Sequence, residues 1–182
     1  AGIEHQAMRR TLEPMSSEGR ITARPRGPSQ PLQDFSSLHE ATAATLALVQ
    51  GARREIRLYS RDLEPVLYAQ PEVLEAFRQF AIAGRGGIVQ VILQEPASAQ
   101  GAIHPLLTLA QRMTTVFQFR TPVDHVDLQY PSAFLVNDRD GCLFRGIGTR
   151  FEGDWSPALP ARNRQLSDHF GRVWERSRPC TE

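Results

Sequence analysis

The sequence predicts a three-layer α/β domain with a mixed, mostly parallel sheet, and three observations carry that expectation. Ile88-Val89-Gln90-Val91-Ile92-Leu93 is a short apolar run, as expected of a strand covered on both faces. Segments with apolar residues at helical spacing alternate with strand-like runs, the order that builds layers of helices on a sheet. Asp138-Arg139-Asp140-Gly141 supplies turn chemistry between two further strand-like runs, so a hairpin is expected beside the parallel strands.

Taken in order, residues 9–34 hold Pro14, Gly19, Pro25, Gly27, Pro28 and Pro31 among serines and arginines and read as a flexible linker. From Phe35 to Gln50, Leu38, Ala41, Thr45 and Leu48 recur at helical spacing beside Leu46 and Val49, and Gly51 can end the helix. Ile56 to Tyr59 alternates like a strand. Pro71 opens a second helix at a position proline favours, with Glu72 and Glu75 near the positive end of its dipole. Leu74, Phe77 and Phe80 or Ala81 form its buried stripe, and Gly84 marks the stop. After the run at Ile88, Pro105 opens a third helix with Leu106, Leu109, Ala110 and Met113 inward, and Val116 to Arg120 is a strand. Ala133 to Asn137 and Cys142 to Arg145 form the hairpin. The last helix runs from about Ala161 to Arg176 and buries Leu166, Phe170, Val173 and Trp174. The folded domain is expected over residues 35–178, with a tail over 179–182.

Composition excludes more than it assigns. The formal net charge of +1 gives no global attraction to nucleic acid or membrane, so any binding must come from a local patch. No apolar run approaches the roughly 20 residues of a membrane-spanning helix, and no signal peptide is visible. Two cysteines, Cys142 and Cys180, make no disulfide framework, which points to a reduced, cytoplasmic setting. All 21 basic residues are arginine, a bias that a GC-rich genome produces as readily as a need for phosphate-binding forks. There is no Walker loop, no Gly-x-Ser-x-Gly elbow and no Cys-x-x-Cys pair, and no cofactor is expected.

Pro131-Ser132-Ala133-Phe134-Leu135-Val136-Asn137-Asp138 resembles the catalytic strand of the phospholipase D-like phosphodiesterases, whose signature is His-x-Lys-x-x-x-x-Asp. Ala83 to Leu93 resembles the segment feeding that family's second strand, and Gly148-Thr149 the Gly-Ser after its catalytic hairpin. The resemblance spans roughly Phe35 to Trp174 and implies one half of a phospholipase D-like fold. With Asp138 on the signature aspartate, Pro131 stands in the place of the nucleophilic histidine and Ala133 in that of the lysine. Proline has no lone pair to attack phosphorus, and alanine offers no cation to the developing charge. The resemblance therefore implies a degenerate half. Family halves pair about a twofold axis, so a homodimer is expected unless another domain covers that face. Ala1 to Met8 resembles the closing segment of GNAT-type acetyltransferases, and the chain does not begin with methionine; an upstream acetyltransferase is the expected partner domain.

Candidate site residues remain. Arg61, Arg120, Arg145 and Arg150, with Trp155, can form an arginine-aromatic surface for phosphate or nucleic acid, Arg120 and Arg145 being expected at the ends of neighbouring strands. Tyr59 to Asp62 follows the first strand, where α/β sheets usually hold ligands. His125 lies six residues before Pro131, about 20 Å along an extended strand at ~3.3 Å per residue, and reaches the motif only through a sharp bend. Asp124-His125-Val126-Asp127, read as a strand, divides its ligands between two faces, so no metal site is expected. Asp138 reads either as a relic of the catalytic motif or as a residue stabilising its own turn. Arg162, Arg164, Arg172 and Arg176, interleaved with Asp168 and Glu175, read as the wet face of the last helix.

Three functions stay open: a non-catalytic domain binding a phosphorylated ligand or a protein, a phosphodiesterase with an unconventional site at His125, and a structural dimerisation module.

Overall fold

The computed structural model describes residues 28–180; the acetyltransferase-like opening and residues 9–27 of the linker lie outside the described residues. Strand β1 is Gln33–Phe35, helix α1 Leu38–Gly51, β2 Glu55–Ser60, α2 Pro65–Tyr68, α3 Pro71–Ile82 and β3 Ile88–Leu93. There follow α4 Pro96–Gly101, α5 Pro105–Arg112, β4 Phe117–Pro122, α6 His125–Leu128, β5 Ala133–Asn137, β6 Cys142–Arg145, β7 Gly153–Ser156, α7 Pro160–Glu175 and β8 Ser177–Pro179.

Local chemistry explains the boundaries. Ser37 is the N-cap of α1: its hydroxyl accepts the Glu40 N–H at 3.1 Å and donates to the Glu40 carboxylate. Pro65, Pro71, Pro96, Pro105 and Pro160 each sit in the first turn of a helix, where a missing N–H costs nothing. Gly84, at φ +70°, turns the chain out of α3 in the left-handed region that disfavours a side chain.

The eight strands form one sheet in the order β1-β7-β6-β5-β2-β3-β4-β8. β2, β3 and β4 are parallel, as expected near Ile56, Ile88 and Val116, and the β5–β6 hairpin lies at their side. The sheet as a whole is mostly antiparallel, which corrects the expectation. Parallel pairing needs a long crossover, and the chain supplies two, through α3 and through α4–α5. Every other pairing is antiparallel, including the edge strands β1 and β8. Those edges also extend the folded unit beyond residues 35–178: Gln33 and Asp34 pair with β7, Pro179 pairs with β4, and the Cys180 N–H reaches Phe119 O.

Helices α1, α3 and α5 cover one face over Leu48, Ile56, Leu58, Phe77, Val91 and Leu135, and α7 covers the other over Tyr59, Ile92, Phe134 and Phe170. The layers are those expected. Within α3, Val73 and Ala76 take buried positions with Phe77 and Phe80, while Leu74 is half-buried. β3 lies inside the sheet, between β2 and β4, but the central pair is β5 and β2. Gln90, on the α7 face of β3, is half-exposed and reaches Gln118, so α7 covers that face only in part.

Candidate functional site

The C-terminal ends of β2, β3, β4 and β6 and the start of β5 share one edge of the sheet, and Pro131 and Ala133 stand there. Pro131 is exposed just before β5, and Ala133 is buried as its first residue. Directly opposite Ala133, in register on β6, is Arg145. Its alternation with Leu143 turns the side chain inward, and at 0 % exposure it is the largest fully buried residue.

Buried cations need partners, and the chain around Arg145 supplies them. Its Nη1 donates to the carbonyls of Gly148 at 2.7 Å and Arg150 at 3.2 Å. Its Nη2 lies 3.1 Å from Glu64 Oε1, an ion pair without hydrogen-bond alignment, and Nε finds no acceptor. Phe151 packs beside the guanidinium, 5.5 Å from its ring centroid. Glu64 is fixed in turn by the Ser60 hydroxyl, which donates to Oε2 at 3.0 Å and accepts the Leu63 N–H at 3.0 Å. Burial pushes the Tyr68 hydroxyl up, opposed by the positive charge of Arg145.

The loop that delivers Glu64 is strained at Leu63, a buried residue at φ 58°. His104 holds it from the other side. Nδ1 of His104 accepts the Leu106 N–H, so the ring is the tautomer whose Nε2–H donates to Leu63 O at 2.7 Å. Burial keeps His104 below its ordinary range.

The turn after β6 closes the site. The Gly148 N–H donates to Pro131 O at 2.8 Å, and the Ser132 hydroxyl to Gly146 O at 2.7 Å. A Cβ built on Gly148 would lie 3.6 Å from that of Ala133. The space a lysine would need at position 133 is therefore covered by this turn.

The other candidates take separate places. Arg120 and Arg145 are not on neighbouring strands, because β5, β2 and β3 lie between β6 and β4. Arg120 instead stacks 4.4 Å over Trp174 and donates to its carbonyl. Arg61 is exposed, 3.8 Å from Glu95, and Arg150 is exposed, 3.4 Å from Glu152. Trp155 lies on β7, half-buried against the helix-covered core. His125 begins α6, exposed to solvent. Residues 124–128 are thus a capped helical turn rather than a strand: Asp124 accepts the Val126 N–H, and buried Asp127 takes Arg176 in a two-point ion pair at 2.5 and 2.7 Å. No group of three potential metal ligands occurs among the described residues.

Asp138 lies at the opposite end of β5 and accepts the backbone N–H groups of Arg53 and Arg54 at 2.9 and 3.1 Å. It clamps the α1–β2 connection; its own turn is held by Asn137, whose Oδ1 accepts from Arg139 and Gly141. The sequence reading missed Glu64 and the burial of Arg145. The period-two alternation that places Leu143 inward contained the signal for Arg145; Glu64 had none, since only the tertiary fold brings α2 to β6.

A cleft of about 570 Å³ between α4, α5 and β4 is lined by Leu93, Ile103, Leu107, Phe117 and Phe119 among others, and Ala133 and Arg145 are not part of its wall.

No curated protein matches the chain. Among solved structures it is similar to Nuc, a phospholipase D family member from Salmonella typhimurium, with TM-score 0.58 and 14 % identity over 84 % of this chain and 99 % of that one. NucT from Helicobacter pylori aligns with TM-score 0.54 and 11 % identity over 82 % and 99 %. TrmBL2, an archaeal chromatin protein described as having a novel mode of DNA binding, aligns with TM-score 0.60 and 13 % identity over 85 % of this chain; the chain spans 55 % of its length. At these identities the likeness establishes the fold, which is phospholipase D-like. Residues 37–182 match a family described as a domain of unknown function, DUF7931, and the chain belongs to that family.

Proposed function

We propose that this is a non-catalytic phospholipase D-like domain that acts by binding. The observation that carries the reading is the filled motif. Pro131 and Ala133 supply neither nucleophile nor cation, and Arg145, the one cation facing Ala133, is spent on Glu64 and two loop carbonyls. An arginine committed to fixed internal partners is not available to stabilise a transferring phosphoryl group.

The partner is a phosphorylated ligand, a nucleic acid or a protein, and Arg61 and Arg150 keep exposed guanidiniums at the motif edge for the first two. The DNA binding described for TrmBL2 supports the same class of partner. A protein partner is supported by exposed apolar residues after β4 and β6, with Val123 61 %, Val126 72 % and Ile147 45 % exposed. A second copy of the chain, or an upstream acetyltransferase domain, is the expected cover. A cytoplasmic setting accords with two free cysteines.

The test is phosphodiester turnover by purified protein on lipid, DNA and RNA. No activity above background is expected. Turnover that survives purification controls and vanishes in His125→Ala would overturn the reading in favour of an unconventional enzyme.

A further inference from the structure

Helix α4 ends in a Schellman motif whose left-handed position holds an unexpected residue. The His104 N–H donates to Ala99 O and the Ile103 N–H to Gln100 O, both at 3.1 Å. Ile103 therefore takes the position, at φ 50°, where glycine is the common choice and a β-branched side chain is strained. Burial does not offset that strain, because the side chain is 78 % exposed. A strained apolar side chain facing water points to a contact outside the chain.

Ile103 stands at the mouth of the cleft between α4, α5 and β4. The cleft floor is aromatic. Phe117 and Phe119, two residues apart on β4, hold their rings 11° from parallel with centroids 6.5 Å apart. Leu93 and Leu107 extend the apolar wall, and Cys180, whose N–H donates to Phe119 O, adds a polarizable thiol that suits an aromatic neighbour. The floor is formed in advance: Phe117 is buried beside Phe77, and His104 is fixed through both ring nitrogens.

Charge complementarity selects the ligand. Among the described residues no carboxylate or guanidinium lines the cleft, and its polar members include the amide of Gln100 and the hydroxyls of Thr108 and Thr114. His104 and Cys180, the titratable groups in the wall, are uncharged at neutral pH, since burial holds the imidazole below its ordinary range and pushes the thiol up. Glu95 and Arg112 adjoin wall residues and Arg178 stands two residues from Cys180, yet all three lie outside the wall. A phosphate or carboxylate deep in this cleft would be desolvated without a cation to receive it. The volume, about 570 Å³, falls within the roughly 300–1,000 Å³ of small-molecule sites.

We propose that this cleft binds an uncharged small molecule with a flat aromatic body, which Ile103 contacts at the mouth. The site is separate from the edge where Pro131 and Ala133 stand. The inference goes beyond the binding reading given for that edge and does not depend on it.

Titration of N-phenyl-1-naphthylamine, an uncharged dye that brightens in apolar surroundings, with the full chain tests the site. A dissociation constant on the order of tens of micromolar is expected for a ligand of this size. 1-Anilinonaphthalene-8-sulfonate has the same rings and a negative charge, and should bind at least about fivefold more weakly. Ile103→Gly should raise the melting temperature by relieving the left-handed strain, yet weaken dye binding about fivefold. Ile103→Leu should keep binding within about twofold, as should Val66→Asn at an exposed apolar residue on α2. Cys142 is buried, so iodoacetamide marks Cys180, and saturating dye should slow that alkylation several-fold.

Absence of dye binding, equal binding of the sulfonated dye, unchanged affinity in Ile103→Gly or an unprotected Cys180 would overturn the site. A lower melting temperature in Ile103→Gly would also count against it, by showing that the side chain serves the fold. Dye binding that weakens as protein concentration rises would give the cleft to a second copy of the chain and overturn the small-molecule assignment.

Discussion

Ala133 on β5 and Arg145 on β6 stand opposite one another in register, so the small side chain of one strand faces a buried guanidinium contributed by the next. The charge of Arg145 is held inside this edge of the sheet. Glu64 and the carbonyls of Gly148 and Arg150 hold it, and the turn carrying Gly148 rests on Pro131. A catalytic cation must meet substrate, whereas this one ties a loop to a helix.

That arrangement predicts the outcome of rebuilding the motif. Pro131→His with Ala133→Lys should yield no turnover, because the surrounding groups are organised around Arg145 rather than a substrate. Ala133→Lys should also lower stability by roughly 3–5 kcal/mol, the cost of an uncompensated buried charge. Urea denaturation and a phosphodiesterase assay on the same samples check both; measurable turnover by the double variant would show the site to be latent rather than filled.

The Arg145–Glu64 pair should behave as a buried ion pair. Either Glu64→Gln or Arg145→Met alone should cost roughly 3–5 kcal/mol, because each strands the other partner. Glu64→Gln with Arg145→Met should lose less than the two single variants together. Additive losses in that double-mutant cycle would mean that the two charges are independently solvated.

Core packing yields a third expectation. Phe77 is fully buried between α3 and the sheet, its ring 6.4 Å from that of Phe117. Phe77→Ala should destabilise the domain by roughly 3–5 kcal/mol. A negligible shift in the denaturation midpoint would place the ring outside the core.

Stability should fall in mild acid. Burial lowers the pKa of both His104 and His169 in the folded state, so the unfolded chain takes up protons first as pH drops below about 6.5. The contribution is complete above that value and is lost as pH falls through the folded-state pKa values. For His104 the reason is visible, since protonation of Nδ1 removes the acceptor for the Leu106 N–H. Denaturation midpoints compared at neutral and mildly acidic pH should show the fall, with a smaller slope in His104→Ala. A flat profile would contradict the assignment.

Assembly is the last expectation. Val123, Val126 and Ile147 leave apolar surface exposed at the edge where Pro131 and Ala133 stand. Light scattering should return twice the 20.4 kDa chain mass. A strict monomer at tens of micromolar would leave that surface to a different partner.

The sequence by itself determined the layers. Local periodicity is set by the geometry of one helix or one strand, so the α1, α3, α5 and α7 helices, the parallel strands at Ile56, Ile88 and Val116, and the hairpin at Asp138 were all legible from spacing and turn chemistry. It also determined that Pro131 and Ala133 bring neither a nucleophile nor a cation to this edge, since that is a matter of residue identity. Short elements escaped: β1, β7 and β8 have three or four residues each and owe their form to pairing with distant strands rather than to a pattern of their own. Their antiparallel pairing is what changed the overall character of the sheet. The site was decided by tertiary structure, because burial and pairing depend on what arrives from elsewhere in the chain. Glu64 reaches Arg145 across 81 residues (145 − 64), Asp138 reaches Arg53 across 85, and Arg176 reaches Asp127 across 49. No local rule distinguishes an arginine that will meet such a partner from one, like Arg172, that is left facing water.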